Sequence, residues 1–322
     1  EELLPFYNKK IDYNTVIIHA QPTYYPQIIS QENKKQLIGY TVWETDKLPE
    51  SWLPKLGLLD KILVPCEWNK KVFIKSGVEK PIFVFPHICE EEKTNIIEKD
   101  KEFLDILEDN FMFYTIGVWT SRKALFNSIT AYSKAFGYKD KTMLVIKTSK
   151  ENFALKYPYS RYITSDVTTR FLQVKNFSGA RIKVIVKELT DNQIKALHSR
   201  GDCYISLCRS EGWGLGAFDA ATYGKPVMMT GFGGNLDYLS NSLSYLVKCK
   251  LVPVKATGFE KNIFSKTENW AEVDISDAVK NLKYIYNNQA EAKQKAEILK
   301  NEIKEKFNQE FLINKLLSII RN

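Results

Sequence analysis

Glu211 and Asp219 are separated by seven residues, among them Gly212, Gly214 and Gly216. The apolar run Cys203–Leu207 leads into this segment; Gly224 and Pro226 follow it. The pattern reads strand, glycine-rich turn, helix, strand. Glycine lets backbone amides come close to a ligand, and the first N–H groups of the helix, near 215–218, lack intrahelical partners. Such an end suits a phosphate or a sugar hydroxyl. Ionised carboxylates only accept hydrogen bonds, so vicinal hydroxyls of a ribose or hexose are natural partners for Glu211 and Asp219. The alternative is that Asp219 complements the helix dipole and Glu211 caps a turn.

Arg122 and Lys123 lie between the apolar run Phe111–Gly117 and the amphipathic stretch Phe126–Phe136. They read as a solvated pair or, at the carboxyl edge of a parallel sheet, as a cationic site for phosphate. Lys147 ends the next run and is either a second cation or simply exposed. His19 closes an apolar run and is either a structural residue or a ligand contact; His87 in Phe-Pro-His-Ile reads as a hinge residue.

Positioning these groups takes alternating elements. Strand-like runs occur at Thr15–Ala20, Leu37–Val42, Lys61–Pro65, Ile82–Phe85, Phe111–Gly117, Thr142–Lys147, Ile182–Val186, Cys203–Leu207, Pro226–Thr230 and Ser244–Val247. Helical periodicity marks Phe126–Phe136, Asn192–His198 and Ala217–Tyr223, and Thr190 with Gln193 forms a capping box. Strands alternating with helices predict an α/β protein with parallel sheets. The charged, aperiodic stretch 90–101 reads as a linker. It divides the chain into a short first domain, 1–89, and a larger second one, 102–303, with a helical tail, 304–322, packing back on the first. The tail carries a stripe of Phe307, Phe311, Leu312, Leu316 and Ile319. The first domain is either reduced or the chain begins inside a longer one.

Composition narrows the classes. Hydrophobic residues make up 44% and charged ones 26%, which excludes a disordered chain. The longest apolar run is about half the ~20 residues of a membrane-spanning helix, and the first residues show no signal-peptide pattern, so a cytoplasmic protein is expected. Five cysteines without a C-x-x-C pair argue against a zinc site or a disulfide framework. Lys and Arg outnumber Asp and Glu by 46 to 38, and residues 139–187 hold eleven of the cations against three acids. That stretch is either a solvated face or a surface for an anionic partner such as a membrane. No recognition motif for nucleic acid accompanies it.

The segment from Glu211 to Asp219 resembles the paired-acid region of the retaining GT-B glycosyltransferases of family 4. Further stretches resemble that family: 39–52, 64–69, Ser76-Gly-Val78, Val84-Phe-Pro-His87, 117–123, 230–239, Leu251-Val-Pro-Val254 and Trp270-Ala-Glu-Val-Asp274. The likeness covers about 15–275 and is of the surface-polysaccharide type. Asp219 stands where the family usually has Glu, and Gly216 where it often has Pro.

The resemblance implies two Rossmann-like domains facing a cleft, the first short or incomplete. It implies a donor that is a nucleotide diphosphate sugar, UDP- or GDP-linked, with no metal and no other cofactor. The acceptor would be a saccharide or a lipid- or protein-linked glycan, with the protein cytoplasmic or peripheral at the inner membrane face. Carried over by position, Glu211 holds the transferred sugar, Asp219 the ribose, and Lys123 with Arg122 the diphosphate. Gly212, Trp213, Gly214, Leu215 and Gly216 line the sugar and diphosphate; Lys147 adds a cation; Lys187 and Leu189 flank the base. His19 approaches the donor sugar, and Glu44 and Asp46 are either acceptor-facing or surface-loop residues. Two alternatives stand beside transfer: a non-catalytic sugar-nucleotide-binding partner, and an epimerase or hydrolase on the same fold.

Overall fold

The computed structural model describes residues 7, 9, 12–32, 35–89, 110–155, 159–177, 179–265 and 267–321. The first sheet has four parallel strands, β1 (Thr15–His19), β2 (Gln36–Tyr40), β3 (Lys61–Val64) and β4 (Ile82–Val84), in the order β1-β2-β3-β4. Helices α1 (Tyr25–Ile29), α2 (Leu53–Leu56) and α3 (Glu67–Lys75) connect them.

The second sheet has β5 (Phe111–Ile116), β6 (Thr142–Lys147), β7 (Ile182–Ile185), β8 (Cys203–Ser206), β9 (Val227–Thr230) and β10 (Tyr245–Val247). Helices α4 (Leu125–Ala135), α5 (Thr164–Val174), α6 (Asp191–Arg200) and α7 (Leu215–Thr222) join them. All six strands are parallel, in the order β10-β9-β8-β5-β6-β7. All ten strand-like runs of the sequence are strands, most of them a residue or two shorter at an end.

Strands of a parallel sheet are covered on both faces, so they read as continuous apolar runs. All four residues of β8 are buried, as are five of the six in β5. Alternate side chains then go to opposite faces. Phe113, Leu144, Ile205 and Met228 pack with α4 and with Ala278 and Leu282. Met112, Tyr114, Val145, Tyr204 and Met229 pack with Leu197, Phe218, Leu299 and Ile303. Truncating a fully buried member such as Leu282 to Ala costs about 2–5 kcal/mol.

After β10 the chain forms an antiparallel hairpin, β11 (Cys249–Pro253) with β12 (Asn269–Val273). It packs Val254, Phe264 and Trp270 into the core of the first sheet, beside Trp43 and Trp52. The hairpin therefore straps one half to the other. Helices α8 (Ile275–Asn287), α9 (Gln289–Lys306) and α10 (Gln309–Arg321) complete the chain.

The expected apolar stripe of the tail is split. Phe307 follows the last residue of α9 and is buried against Trp213 and Phe218. Asn308 then caps a new helix by accepting from the Phe311 amide, which turns Phe311 out to 54% exposure. Helix α10 packs on the first sheet, with Ile319 against Ile38 and Leu63 and the Lys61 ammonium donating to the Ile319 carbonyl at 2.7 Å. The capping box at Thr190 and Gln193 is present. The expected linker, 90–101, lies outside the described residues.

Candidate active site

The order of the second sheet reverses between β5 and β8. From β5 the chain moves outward to β7, then returns to β8 and proceeds the other way. Beyond the carboxyl ends of strands at such a switch point lies the crevice where α/β sheets bind ligands. The loop after β5 carries Arg122 and Lys123; the loop after β8 carries Glu211. The two loops are bonded to each other, Arg209 N to Arg122 O at 2.8 Å.

These side chains form one charged cluster. Glu211 is only 7% exposed. Its Oε1 accepts from Lys123 Nζ, and its Oε2 from Arg122 Nη1 at 3.1 Å. Burial alone would raise the Glu211 pKa, but Lys123 and Arg122 outweigh it and hold the carboxyl below its ordinary range. Arg122 is shared further, with Nη2 3.4 Å from Glu44 Oε1 and Nε 3.9 Å from Glu260 Oε1. Burial disfavours its charge, yet the three carboxylates raise its pKa above the ordinary arginine value. Two cations thus face three carboxylates contributed by the first sheet, the β8 loop and the hairpin.

The glycine turn is shaped by close contact. A Cβ on Gly212 would lie 2.0 Å from Val42 Cγ2 and 3.0 Å from the Trp43 carbonyl. The Gly212 carbonyl accepts from Asn69 Nδ2 at 3.0 Å and Cys66 Sγ at 3.1 Å, so α3 and its cap hold the turn. Gly214 adopts φ +89° and starts α7. Its carbonyl already accepts from the Ala217 and Phe218 amides. The open end of α7 is therefore at Leu215 and Gly216, narrower than the sequence suggests. Trp213 is packed among Phe218, Tyr238 and Phe307, so its backbone rather than its ring is available to a ligand.

Three cavities share lining residues, and the first of them reaches this cluster. The first is lined by His19, Tyr40, Glu44, Arg122 and Glu260. Tyr40 also lines the second, of about 740 Å³, with His87, Ile194, Leu215 and Asp219. Ile194 also lines the third, with Gly117, Lys147 and Lys187.

The remaining expected residues fall as follows. His19 is exposed, its ring 4.7 Å from Tyr40. Lys147 donates to the Thr148 carbonyl, and burial lowers its pKa. Leu189 is partly buried against the core. Asp46 does not line the first cavity's described wall; its carboxylate accepts from Asn269 N and Nδ2 at 2.6 and 3.0 Å and ties the first sheet to the hairpin. Sequence reasoning did not single out Glu260 or the role of Asn69. Asn69 lay within a recognised stretch, whereas Glu260 sits in a segment without periodicity.

Two parallel sheets with a charged crevice at the switch point of the larger one define the GT-B architecture of glycosyltransferases. Residues 165–316 match the family described as family 4 glycosyltransferase in conflict systems. Among solved structures, Anabaena HepE in complex with UDP and glucose is similar at TM-score 0.70 and 12% identity, over 96% of this chain and 78% of that one. Sucrose-phosphate synthase from Thermosynechococcus elongatus gives 0.68 and 14%, over 99% and 76%. A mutant of S. aureus TarM in complex with fondaparinux, α-GlcNAc-glycerol and UDP gives 0.66 and 14%, over 95% of this chain and 55% of that one. The chain thus spans little more than half of TarM, and at these identities the likeness is one of fold. No curated protein sequence matches the chain.

Proposed function

We propose that this chain moves a sugar from a nucleotide diphosphate sugar to an acceptor hydroxyl, with retention and without a metal. The observation that carries this reading is the pairing of Lys123 and Arg122 with Glu211 at the switch point. Lys123 and the open end of α7 supply the positive charge that a departing diphosphate needs. In the unliganded cluster Lys123 is engaged by Glu211. Sugar hydroxyls donating to Glu211 replace that contact and release the ammonium toward the phosphate.

The bond from the anomeric carbon to the β-phosphate oxygen then breaks through an oxocarbenium-like state. The acceptor oxygen attacks from the same face, and its proton passes to the leaving phosphate. Asp219 holds the ribose; the loop at Lys187 and Leu189 flanks the base; Glu44 and His19 line the acceptor side. UDP in the complexes of HepE and TarM supports a UDP-sugar donor. The acceptor is a glycan, free or carried on lipid or protein, in surface-polysaccharide or glycoconjugate synthesis, with the basic face near 139–187 meeting anionic membrane.

A thermal-shift screen of UDP-, GDP-, ADP- and dTDP-sugars tests donor binding, since a ligand of the folded state raises its stability. Turnover with the binder, product anomer by NMR, and its persistence in EDTA test the rest. Absence of any nucleotide-sugar binding overturns the reading.

A further inference from the structure

Glu260 lies on a short turn, Gly258–Asn262, in the hairpin loop, yet it ends in the switch-point crevice. Its side chain is buried, with 5% of the residue exposed. Oε2 accepts from the Arg122 backbone N–H at 2.9 Å and from the Ser121 hydroxyl. Oε1 faces Arg122 Nε at 3.9 Å. Ser121 is gripped a second time by the hairpin, its hydroxyl accepting from Thr257 N at 3.3 Å. The same turn is held from the other side by Arg209, whose Nη1 donates to the Ser121 carbonyl at 2.7 Å. Arg209 is itself paired at 3.1 Å with Glu272 of β12. One hairpin therefore fixes both sides of the turn that presents Lys123.

A buried carboxylate needs partners that repay its desolvation. Among the described residues, every partner of its carboxylate belongs to Ser121 or Arg122, so Glu260 is committed to the placement of that turn. We propose that Glu260 is a positioning residue for glycosyl transfer: it holds Ser121 and Arg122 so that Lys123 meets the departing diphosphate. This rests on the transfer reading above. Glu260 acts through its neighbours, and the hairpin becomes a working part of the site rather than a strap alone.

The substitution Glu260→Gln separates its two contributions. The amide oxygen keeps the bonds from Arg122 N and Ser121 Oγ, while the amide NH₂ replaces a carboxylate oxygen beside the guanidinium. The inference predicts a melting temperature within a few degrees of wild type. It predicts at least a tenfold fall in kcat with the donor KM within threefold, and partial recovery in Glu260→Asp. It also predicts that Glu260→Gln costs little further in a Lys123→Ala background, because residues acting through one group are not additive. An unchanged kcat, or losses that multiply in the double variant, overturns the role. Hydrogen exchange over residues 118–125 reads the placement without turnover. Exchange there rises in Glu260→Ala if Glu260 holds the turn, and unaltered exchange overturns the inference even where wild type shows no transfer.

Discussion

Lys123 and Glu211, 88 positions apart, are brought into direct contact by two loops that leave adjacent strands at the point where the sheet order reverses. Each satisfies the other, and the proposed transfer assigns them to different parts of a nucleotide sugar. Replacing Glu211 by Ala removes the acceptor for the sugar hydroxyls and leaves two largely buried cations short of a carboxylate. Breaking such a pair costs about 3 kcal/mol or more, so the denaturant midpoint falls. Transfer activity is lost, whereas UDP affinity, by calorimetry, stays within a few-fold or rises, since Lys123 is then free for phosphate. A parallel loss of UDP binding would contradict this division of roles.

Lys123 itself is tested through the rate. If Lys123 meets the departing diphosphate as proposed, its contact strengthens as the glycosidic bond breaks, so the effect belongs in kcat more than in KM. Lys123→Ala lowers kcat by at least ~100-fold, taking ~3 kcal/mol for one preorganised donor. Lys123→Arg recovers part of it, the charge being kept and the point geometry lost. Arg122→Ala acts chiefly on stability, because its guanidinium is shared among Glu44, Glu211 and Glu260. Steady-state kinetics with unfolding curves on all three variants separates these effects, and an unchanged kcat for Lys123→Ala removes it from the site.

The strands were legible because parallel strands buried on both faces leave uninterrupted apolar runs, as Phe111–Ile116 and Cys203–Ser206 do. Hairpin β11–β12 was not, because β11 is largely exposed and contains Lys250 and Pro253. Helix α5 was hidden by its threonines and by burying only Thr164, Val167 and Thr168. At the site, residue types and sheet edges pointed to Glu211, Arg122 and Lys123 individually. That they pair with one another, and that Glu260 joins them from the hairpin, depends on contacts between segments far apart in the chain. An acidic residue in an aperiodic loop carries no sign of being buried.

His87 predicts an acid-side loss of stability. Burial, aided by nearby His19, lowers its pKa to about 4, against 6.5 for a free imidazole. Between those values the unfolded chain binds the proton and the folded one resists it. Stability therefore rises with pH across this window and is lost as pH falls from 6.5 toward 4. Glu211, held ionised by its cations, adds to the loss in the same direction at lower pH. In His87→Gln the slope of melting temperature against pH between 6.5 and 4 is shallower than in wild type; an identical slope assigns the effect elsewhere.

Gly212 offers a test of how the two halves meet. A methyl group at this position would lie 2.0 Å from Val42 Cγ2, 3.0 Å from the Trp43 carbonyl and 3.4 Å from Asn69 Nδ2. Overpacking of this kind costs about 1–3 kcal/mol, so Gly212→Ala lowers the urea midpoint. Because the Gly212 carbonyl is held by Asn69 and Cys66 and Glu211 is its neighbour, the same shift displaces the charged cluster, and turnover falls with stability. Val42 is 39% exposed, so Val42→Ala alone costs little. Combined with Gly212→Ala it removes the nearest clash, and the double variant regains part of both stability and rate. That recovery is a non-additive coupling expected of residues in contact. If Val42→Ala brings no recovery, the Trp43 carbonyl rather than the valine methyl limits the approach of α7 to the first sheet. If Gly212→Ala is as stable as wild type, the turn does not meet Val42 in solution.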